Sequence, residues 1–173
     1  MGKKQEKFMK KSLISALVFL PVIVYFSGCG NQQREERAYG IKAQGLGELI
    51  ASQASACVSQ SRAYMAVWEY AKVSEMEFEE AAAEMLGAET KKNKAMMIEN
   101  KAMIENLLEE LKEPPKKHEE SYTKLMELHE IYVQLHTLTL DPSDDMDEHN
   151  EKVNGLADRI AKKKRELDAT LIL

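Results

Sequence analysis

Small and apolar residues recur every seven positions between about Leu46 and Leu86. Two such series interleave as in a heptad repeat, which is typical of a helix that packs along one seam against other helices. The pattern predicts a first helix about 60 Å long at about 1.5 Å per residue. Glu75 interrupts the seam, which indicates a bend, and Gly87 ends the helix. The two series are Ile50, Cys57, Tyr64, Ala71, Phe78 and Met85, and Ala54, Ser61, Trp68, Glu75 and Ala82.

A second helix is predicted over about Glu89–Lys112, and it contains a near-duplication. The heptapeptide NKAMMIE is followed directly by NKAMIEN. A helix face that repeats every two turns explains this seven-residue offset. The face is interpreted either as an apolar core stripe or as an adaptable methionine surface that binds a partner. Its residues are Met96, Met97, Met103, Ile104, Leu107, Leu108 and Leu111.

Two proline-containing breaks divide the rest of the chain. Pro114-Pro115 ends the second helix, and a third helix runs from about Pro115 to Leu140 with a wide apolar face. A fourth helix follows the turn Asp141-Pro142-Ser143, where Asp141 or Ser143 can cap its N-terminus. Its heptad-spaced apolar residues are Met146, Val153, Ile160 and Leu167.

These patterns predict an all-α fold, an antiparallel bundle of three to four helices with a long first helix. The later helices are roughly 35 to 45 Å long, so the first helix projects, bends or pairs with a second protomer. The Pro115–Asn150 region resembles a set of short bacterial helical proteins of unknown activity. They also place a Pro-Pro helix start before a Tyr/Leu-rich helix and an Asp-Pro-Ser turn. The resemblance implies a helical fold and no particular activity.

The N-terminal region has the layout of a secretory signal peptide. Five lysines precede the apolar run Leu13–Phe26, and the small residues Ser27 and Gly28 follow it. Leu13–Gly28 is 16 residues, which is shorter than the roughly 20 residues that span a bilayer. We therefore interpret residues 1–28 as an export signal and not as a membrane span.

Phe26-Ser27-Gly28-Cys29 resembles the lipobox of bacterial lipoproteins, although Phe26 stands where that family usually has Leu. The resemblance implies that the Cys29 thiol is joined to a diacylglycerol and that signal peptidase II cuts between Gly28 and Cys29. Further acylation of the new amino group gives an anchor of more than one chain, which holds a membrane stably. The expected location is the cell membrane or the outer membrane, with the protein facing the periplasm or the exterior.

The mature chain is expected to consist of a tether and one domain. Residues 29–47 are interpreted as the lipidated cysteine and a flexible spacer, because the segment begins with polar residues and contains three glycines near its end. Residues 48–173 form the predicted helical domain. Cys29–Leu173 has a formal charge of −9, and such a body is repelled by nucleic acid. We therefore expect no nucleic-acid partner.

Two sets of side chains outside the signal region are candidates for chemistry. Cys57 lacks an intramolecular partner if Cys29 is lipidated, and it is interpreted as a small buried residue or as a redox thiol. His118, His129 and His136 share one face of the third helix, but the gaps between them are about 16 and 10 Å. One metal ion cannot bridge those gaps, so they are interpreted as boundary histidines beside Tyr122 and Tyr132.

The chain lacks the sequence motifs of common hydrolases, nucleotide-binding proteins and di-iron bundles. The expected function is therefore non-enzymatic, without a cofactor: a lipoprotein anchored through Cys29 that presents helices to an envelope protein or to a second copy. The seam Ile50–Met85 is the expected contact for the other helices of the bundle or for a second copy. The alternatives are a bundle that binds a ligand, haem or a metal, and a periplasmic chaperone-like protein.

Overall fold

The computed structural model describes residues 31–142 and 145–171, without the side chains of residues 88–90. These residues form five α-helices and one 3₁₀ turn and contain no strand, so the all-α prediction is confirmed. None of these helices is both long enough and apolar enough to cross a bilayer. The elements are α1 (Asn31–Ser74), α2 (Phe78–Met85), α3 (Gly87–Glu110), the 3₁₀ turn Lys116–His118, α4 (Glu119–Leu140) and α5 (Met146–Thr170).

The heptad seam of the first predicted helix is buried within the chain itself. Ile50, Cys57 and Tyr64 are at most 2% exposed, and the first two belong to a core that also takes residues from α3, α4 and α5. Burial of such side chains supplies the main favourable free energy of folding. The part of the seam from Ile50 to Tyr64 therefore packs within the chain itself.

The bend predicted at Glu75 is a complete break in the helix. Glu75 has φ of 55°, and the Met76 N–H donates to the Ala71 carbonyl oxygen at 2.9 Å. This is the bond that closes a helix C-terminus in a Schellman motif. After the break, Phe78 of α2 packs against the rings of Tyr64 and Trp68 near the end of α1. The predicted first helix is therefore two helices, and its C-terminal part returns against α1.

The flexible spacer expected over residues 29–47 is not found in residues 31–47, which form almost five turns at the start of α1. Tyr39, Ala43 and Leu46 are buried, and together with Ile50 they follow the spacing of one helix face. Each glycine in a helix costs about 1 kcal/mol relative to alanine. Burial of the apolar face outweighs that cost, which is why the polar start and the glycines gave a wrong prediction.

Side-chain contacts show how α1 runs past α3. Gln53 and Gln60 of α1 bond to Asn100 and Asn93 of α3, so residue numbers rise along one helix and fall along the other. α1 runs past α5 in the same antiparallel sense. Its contacts there are Glu48 with Lys164 near one end and Trp68 with His149 near the other.

The contacts of α4 with α3 and with α5 are also antiparallel: residue numbers rise along one helix and fall along the other. Lys94 of α3 donates to the carbonyl oxygen of Leu140, and the Met97 carbonyl bonds His136 one turn earlier on α4. On the other side of α4, Gln134 bonds Arg159 and Glu127 pairs with Lys163.

The cap of α5 differs from both residues expected from the sequence. Asp145 caps the helix, and its carboxylate accepts from the Glu148 N–H at 2.9 Å. Asp141 instead follows the last residue of α4, and Ser143 lies outside the described residues. The acidic first turn, with Asp147 and Glu148, is where a helix dipole favours negative charge.

α1 and α5 approach each other closely at Gly47. A Cβ atom at this position would lie 2.7 Å from Cδ2 of Leu167, which is fully buried, whereas a Cβ at Gly45 would meet nothing within 4 Å. We expect Gly47→Leu to reduce the free energy of unfolding by about 2–3 kcal/mol through overpacking. Gly45→Leu is expected to raise it by roughly 0.5–1 kcal/mol through helix propensity. Urea unfolding of both variants tests the pair, and equal stabilisation would contradict the close packing.

Candidate interaction surface

The predicted lipid site at Gly28 and Cys29 lies outside the described residues. The first described residue is Asn31, where α1 begins. That helix contributes to the core from Tyr39 onward. The lipidation therefore stays a prediction from the sequence.

The three histidines predicted to lie at a boundary are separate from one another, and two of them are interior residues. His118 is 2% exposed and stacks on Tyr39, with ring centroids 5.3 Å apart. His136 is 4% exposed, lies near Tyr132 and bonds the Met97 carbonyl oxygen at 3.2 Å. Within the described part of the chain, no group of three His, Cys, Asp or Glu residues is arranged to hold a metal ion.

A fourth histidine, His149, was not singled out from the sequence. It is fully buried in the first turn of α5, with its ring 5.2 Å from that of Trp68. Neither ring nitrogen has a hydrogen-bond partner among the described residues. The sequence did carry a signal for this burial: His149 lies four residues before the apolar Val153, and that spacing places both residues on one helix face.

Burial favours the neutral form of His129, His136 and His149. It lowers the pKa of His149, and the nearby Lys152 ammonium lowers it further. Burial also lowers the pKa of His129 and of His136, in spite of the Glu105 carboxylate near both rings. Removing an imidazolium from water disfavours the charged form. All three rings are therefore held in their neutral form, which matters for the stability of the fold in acid.

Cys57 is a buried residue, 1% exposed, as the simpler interpretation of the sequence predicted. Burial raises the pKa of its thiol to about 11, although a hydrogen bond with Thr139 acts in the opposite direction. The reactive form of cysteine is the thiolate, so a thiol with so high a pKa is a poor nucleophile at neutral pH. This environment disfavours the redox interpretation of Cys57.

The near-duplication in α3 has a structural explanation that was not predicted. The Asn93 amide donates to Oε1 of Gln60 at 3.2 Å, and the Asn100 amide donates to Oε1 of Gln53 at 2.9 Å. The two pairs are separated from each other by seven residues on each helix, so they repeat every two turns. A seven-residue slip between α1 and α3 would keep only one pair, so the two pairs together specify the register.

The methionines of the same repeat separate into core and surface. Met97 is 6% exposed and belongs to the core with Ile104, whereas Met96 and Met103 are 48% and 43% exposed. The exposed two lie seven residues apart, on one face of α3, and Met85 at the end of α2 is 44% exposed. We call Met96 and Met103 the methionine face. Flexible thioether side chains of this kind adapt to partner surfaces of different shape.

Lys164, in the basic run Lys162–Arg165 of α5, has a role that the sequence did not predict. It is 9% exposed and donates to Glu48 of α1 at 2.7 Å and to Asp168 at 2.6 Å. Burial lowers the pKa of its amine, but the carboxylates of Asp168 and Glu48 outweigh that effect, and the pKa is raised. Lys164 therefore stays charged and joins α1 to α5.

No protein-family model, curated protein or solved structure matches this chain. The residues described above are therefore what indicates its function.

Proposed function

We propose that this chain is a lipid-anchored extracytoplasmic lipoprotein without enzymatic activity. Its long helices form an antiparallel bundle that presents an interaction surface to proteins of the cell envelope. The anchor rests on the signal pattern and on Cys29, with its small neighbours Ser27 and Gly28. The bundle arrangement is supported by the contacts of α1 with α3 and α5, and of α4 with the same two helices.

The observation that carries the interaction role is the methionine face. A side chain as apolar as methionine gains free energy when it leaves water, so two of them almost half-exposed are available for burial by a partner. The same helix buries Met97 and Ile104, so these exposed residues are not needed to fill its core. A surface contact is therefore the simplest use of Met96 and Met103.

The anchor is tested by the intact mass of the protein extracted from membranes of its native host. We expect the mass of Cys29–Leu173 plus acyl chains, since the lipobox resemblance implies cleavage before an acylated cysteine. The matched control is Cys29→Ser, which has no thiol to acylate and is expected to lose the added mass. An unmodified chain with its N-terminus intact would contradict the proposal.

The interaction surface is tested by photo-crosslinking in intact host cells. A photo-reactive amino acid placed at Met96 or Met103 is expected to give a discrete adduct with another envelope protein. The same probe at Lys162, an exposed position of α5, serves as the control. Identical adduct patterns at all three positions would show that the methionine face has no special role.

A second candidate, a bundle that binds haem or a metal, is favoured by one observation. The ring nitrogens of His118 and His149 have no hydrogen-bond partner among the described residues. These rings lie against Tyr39 and Trp68, which are about 44 Å apart along α1, so one cofactor cannot use both histidines. Elemental analysis and the visible absorbance of protein purified from the host distinguish this candidate.

A further inference from the structure

An open groove of about 460 Å³ lies between α4 and α5, away from the methionine face. The α5 side of the groove consists of Lys152, Gly155, Leu156 and Arg159, and this spacing of three and four residues places them on one face of the helix. The lining residues of the groove are Gln134, Leu138, Lys152, Gly155, Leu156 and Arg159.

The floor of the groove is apolar and has a notch at its centre. Leu138 and Leu156 are half-buried and pack on the main core. A Cβ atom added at Gly155 would meet nothing within 4 Å, so the space above this residue is empty of side chains. An apolar side chain from outside can therefore lie over Gly155, against the two leucines.

The ends of the groove carry positive charge. Lys152 and Arg159 are seven residues apart, about 10 Å along α5, and none of the described residues that line the groove is acidic. Arg159 bonds the Gln134 side chain at 3.4 Å and pairs with no carboxylate of the described residues. Lys152 pairs with Glu148, but an exposed pair of this kind contributes only about 0–1 kcal/mol and is easily exchanged. The charged residues that line the groove, Lys152 and Arg159, are thus positive, whereas the chain as a whole has a net charge of −5.

We infer that this groove binds an acidic amphipathic helix of a partner protein. Two carboxylates seven residues apart on that helix would pair with Lys152 and Arg159, and an apolar residue between them would lie over Gly155. Recognition of a helix in a groove uses this spacing of anchors. An anionic bilayer offers similar charge, but it has no fixed apolar side chain that would lie over Gly155 at a set distance from two carboxylates. The inference goes beyond the proposed function and holds whether or not Cys29 is acylated.

The test is a binding titration of the full chain, purified in detergent, with a fluorescent helical peptide of about 20 residues. The peptide carries Glu at two positions seven apart and Leu at the third and fourth positions between them. We expect a Kd of roughly 10–100 μM, and no binding up to about 1 mM by a peptide with Lys in place of both Glu residues. Anisotropy of the labelled peptide reports binding.

Two pairs of variants localise the contact. Arg159→Glu is expected to weaken binding at least about tenfold, whereas Arg165→Glu, the same change on an exposed part of α5 outside the groove, leaves it within about twofold. Gly155→Leu fills the notch and is expected to weaken binding similarly, whereas Gly45→Leu on α1 does not. Circular dichroism checks that all four variants are folded.

Three results would overturn the inference: no binding of the Glu peptide up to about 1 mM, equal binding of the Lys peptide, or equal loss in the Arg165→Glu variant. Binding to anionic lipid vesicles, with no binding to the peptide, would assign the groove to a membrane surface instead. None of these results bears on the mass of the lipidated chain or on the adducts from Met96. Failure here is therefore distinguishable from failure of the proposed function.

Discussion

Replacing Tyr39 with alanine is expected to lower the free energy of unfolding by about 3–5 kcal/mol, the usual cost of removing a large buried aromatic side chain. Tyr39 is 8% exposed, and its ring stacks on His118. Its hydroxyl donates to the Leu111 carbonyl oxygen at 3.0 Å. The substitution removes the stacking contact, leaves a cavity and takes the hydrogen bond from the Leu111 carbonyl.

Urea unfolding followed by circular dichroism measures this effect, on the mature chain with serine at position 29. Tyr39→Phe is the matched control for the ring, because it loses only the hydroxyl and is expected to cost about 1 kcal/mol. Gln44→Ala, an exposed change on the same helix, is expected to stay within about 0.5 kcal/mol. If the segment before Gly47 were a flexible spacer, Tyr39→Ala would leave the free energy of unfolding unchanged.

Acid is expected to destabilise the fold between pH 6.5 and pH 4.5, before most carboxylates are protonated. The pKa values of His129, His136 and His149 are lowered in the folded state, chiefly by burial, from an ordinary value of 6.5. Below that pH the unfolded chain binds more protons than the folded chain, so the free energy of unfolding falls as the pH falls. Each such histidine contributes a slope of up to about 1.4 kcal/mol per pH unit.

The carboxylates contribute in a lower pH range. The pKa of Glu105 is lowered from 4.5, mainly by its hydrogen bond with Lys101, and that of Glu127 is lowered mainly by Lys163. Their stabilising effect is present above 4.5 and is lost as the pH falls below it. Urea unfolding at a series of pH values between 6.5 and 4.5 therefore reports on the histidines.

His149→Phe provides the matched variant for this experiment. Phenylalanine keeps a ring against Trp68 and has no group that titrates, and His149 has no hydrogen bond to lose among the described residues. The variant is expected to have a shallower dependence of the free energy of unfolding on pH. A slope identical to that of the natural chain would show that His149 does not contribute to acid sensitivity.

Local spacing predicted much of the secondary structure. The heptad of Ile50, Cys57 and Tyr64 indicated a buried helix seam, and the charged residue Glu75 in that seam indicated where the helix is interrupted. Such features depend on the 3.6-residue period and on side-chain polarity, which a sequence displays directly. Cys29 is of the same kind, since the lipobox resemblance depends only on neighbouring residues.

The sequence did not predict that residues 31–47 form a buried part of α1. Three glycines and a polar start are typical of a spacer, and the apolar face of Tyr39, Ala43 and Leu46 acquires its stability only from partners far along the chain. The Tyr39 ring stacks on His118, its hydroxyl bonds the Leu111 carbonyl, and Gly47 leaves the space that Leu167 occupies. Long-range burial therefore overrode the local signal.

The amino-acid sequence by itself determined the helical class and the main breaks between helices, because each depends on residues close together in the chain. The proposed anchor at Cys29 likewise rests on neighbouring residues alone. Only the tertiary structure decided that Met97 is buried while the adjacent Met96 is exposed, since consecutive helix residues differ by about 100° and their burial depends on which side meets a neighbouring helix. It also decided the enclosure of His149 and the groove around Gly155. Both arise where residues from different helices pack together, and the spacing of residues along the chain does not show which helices will be in contact.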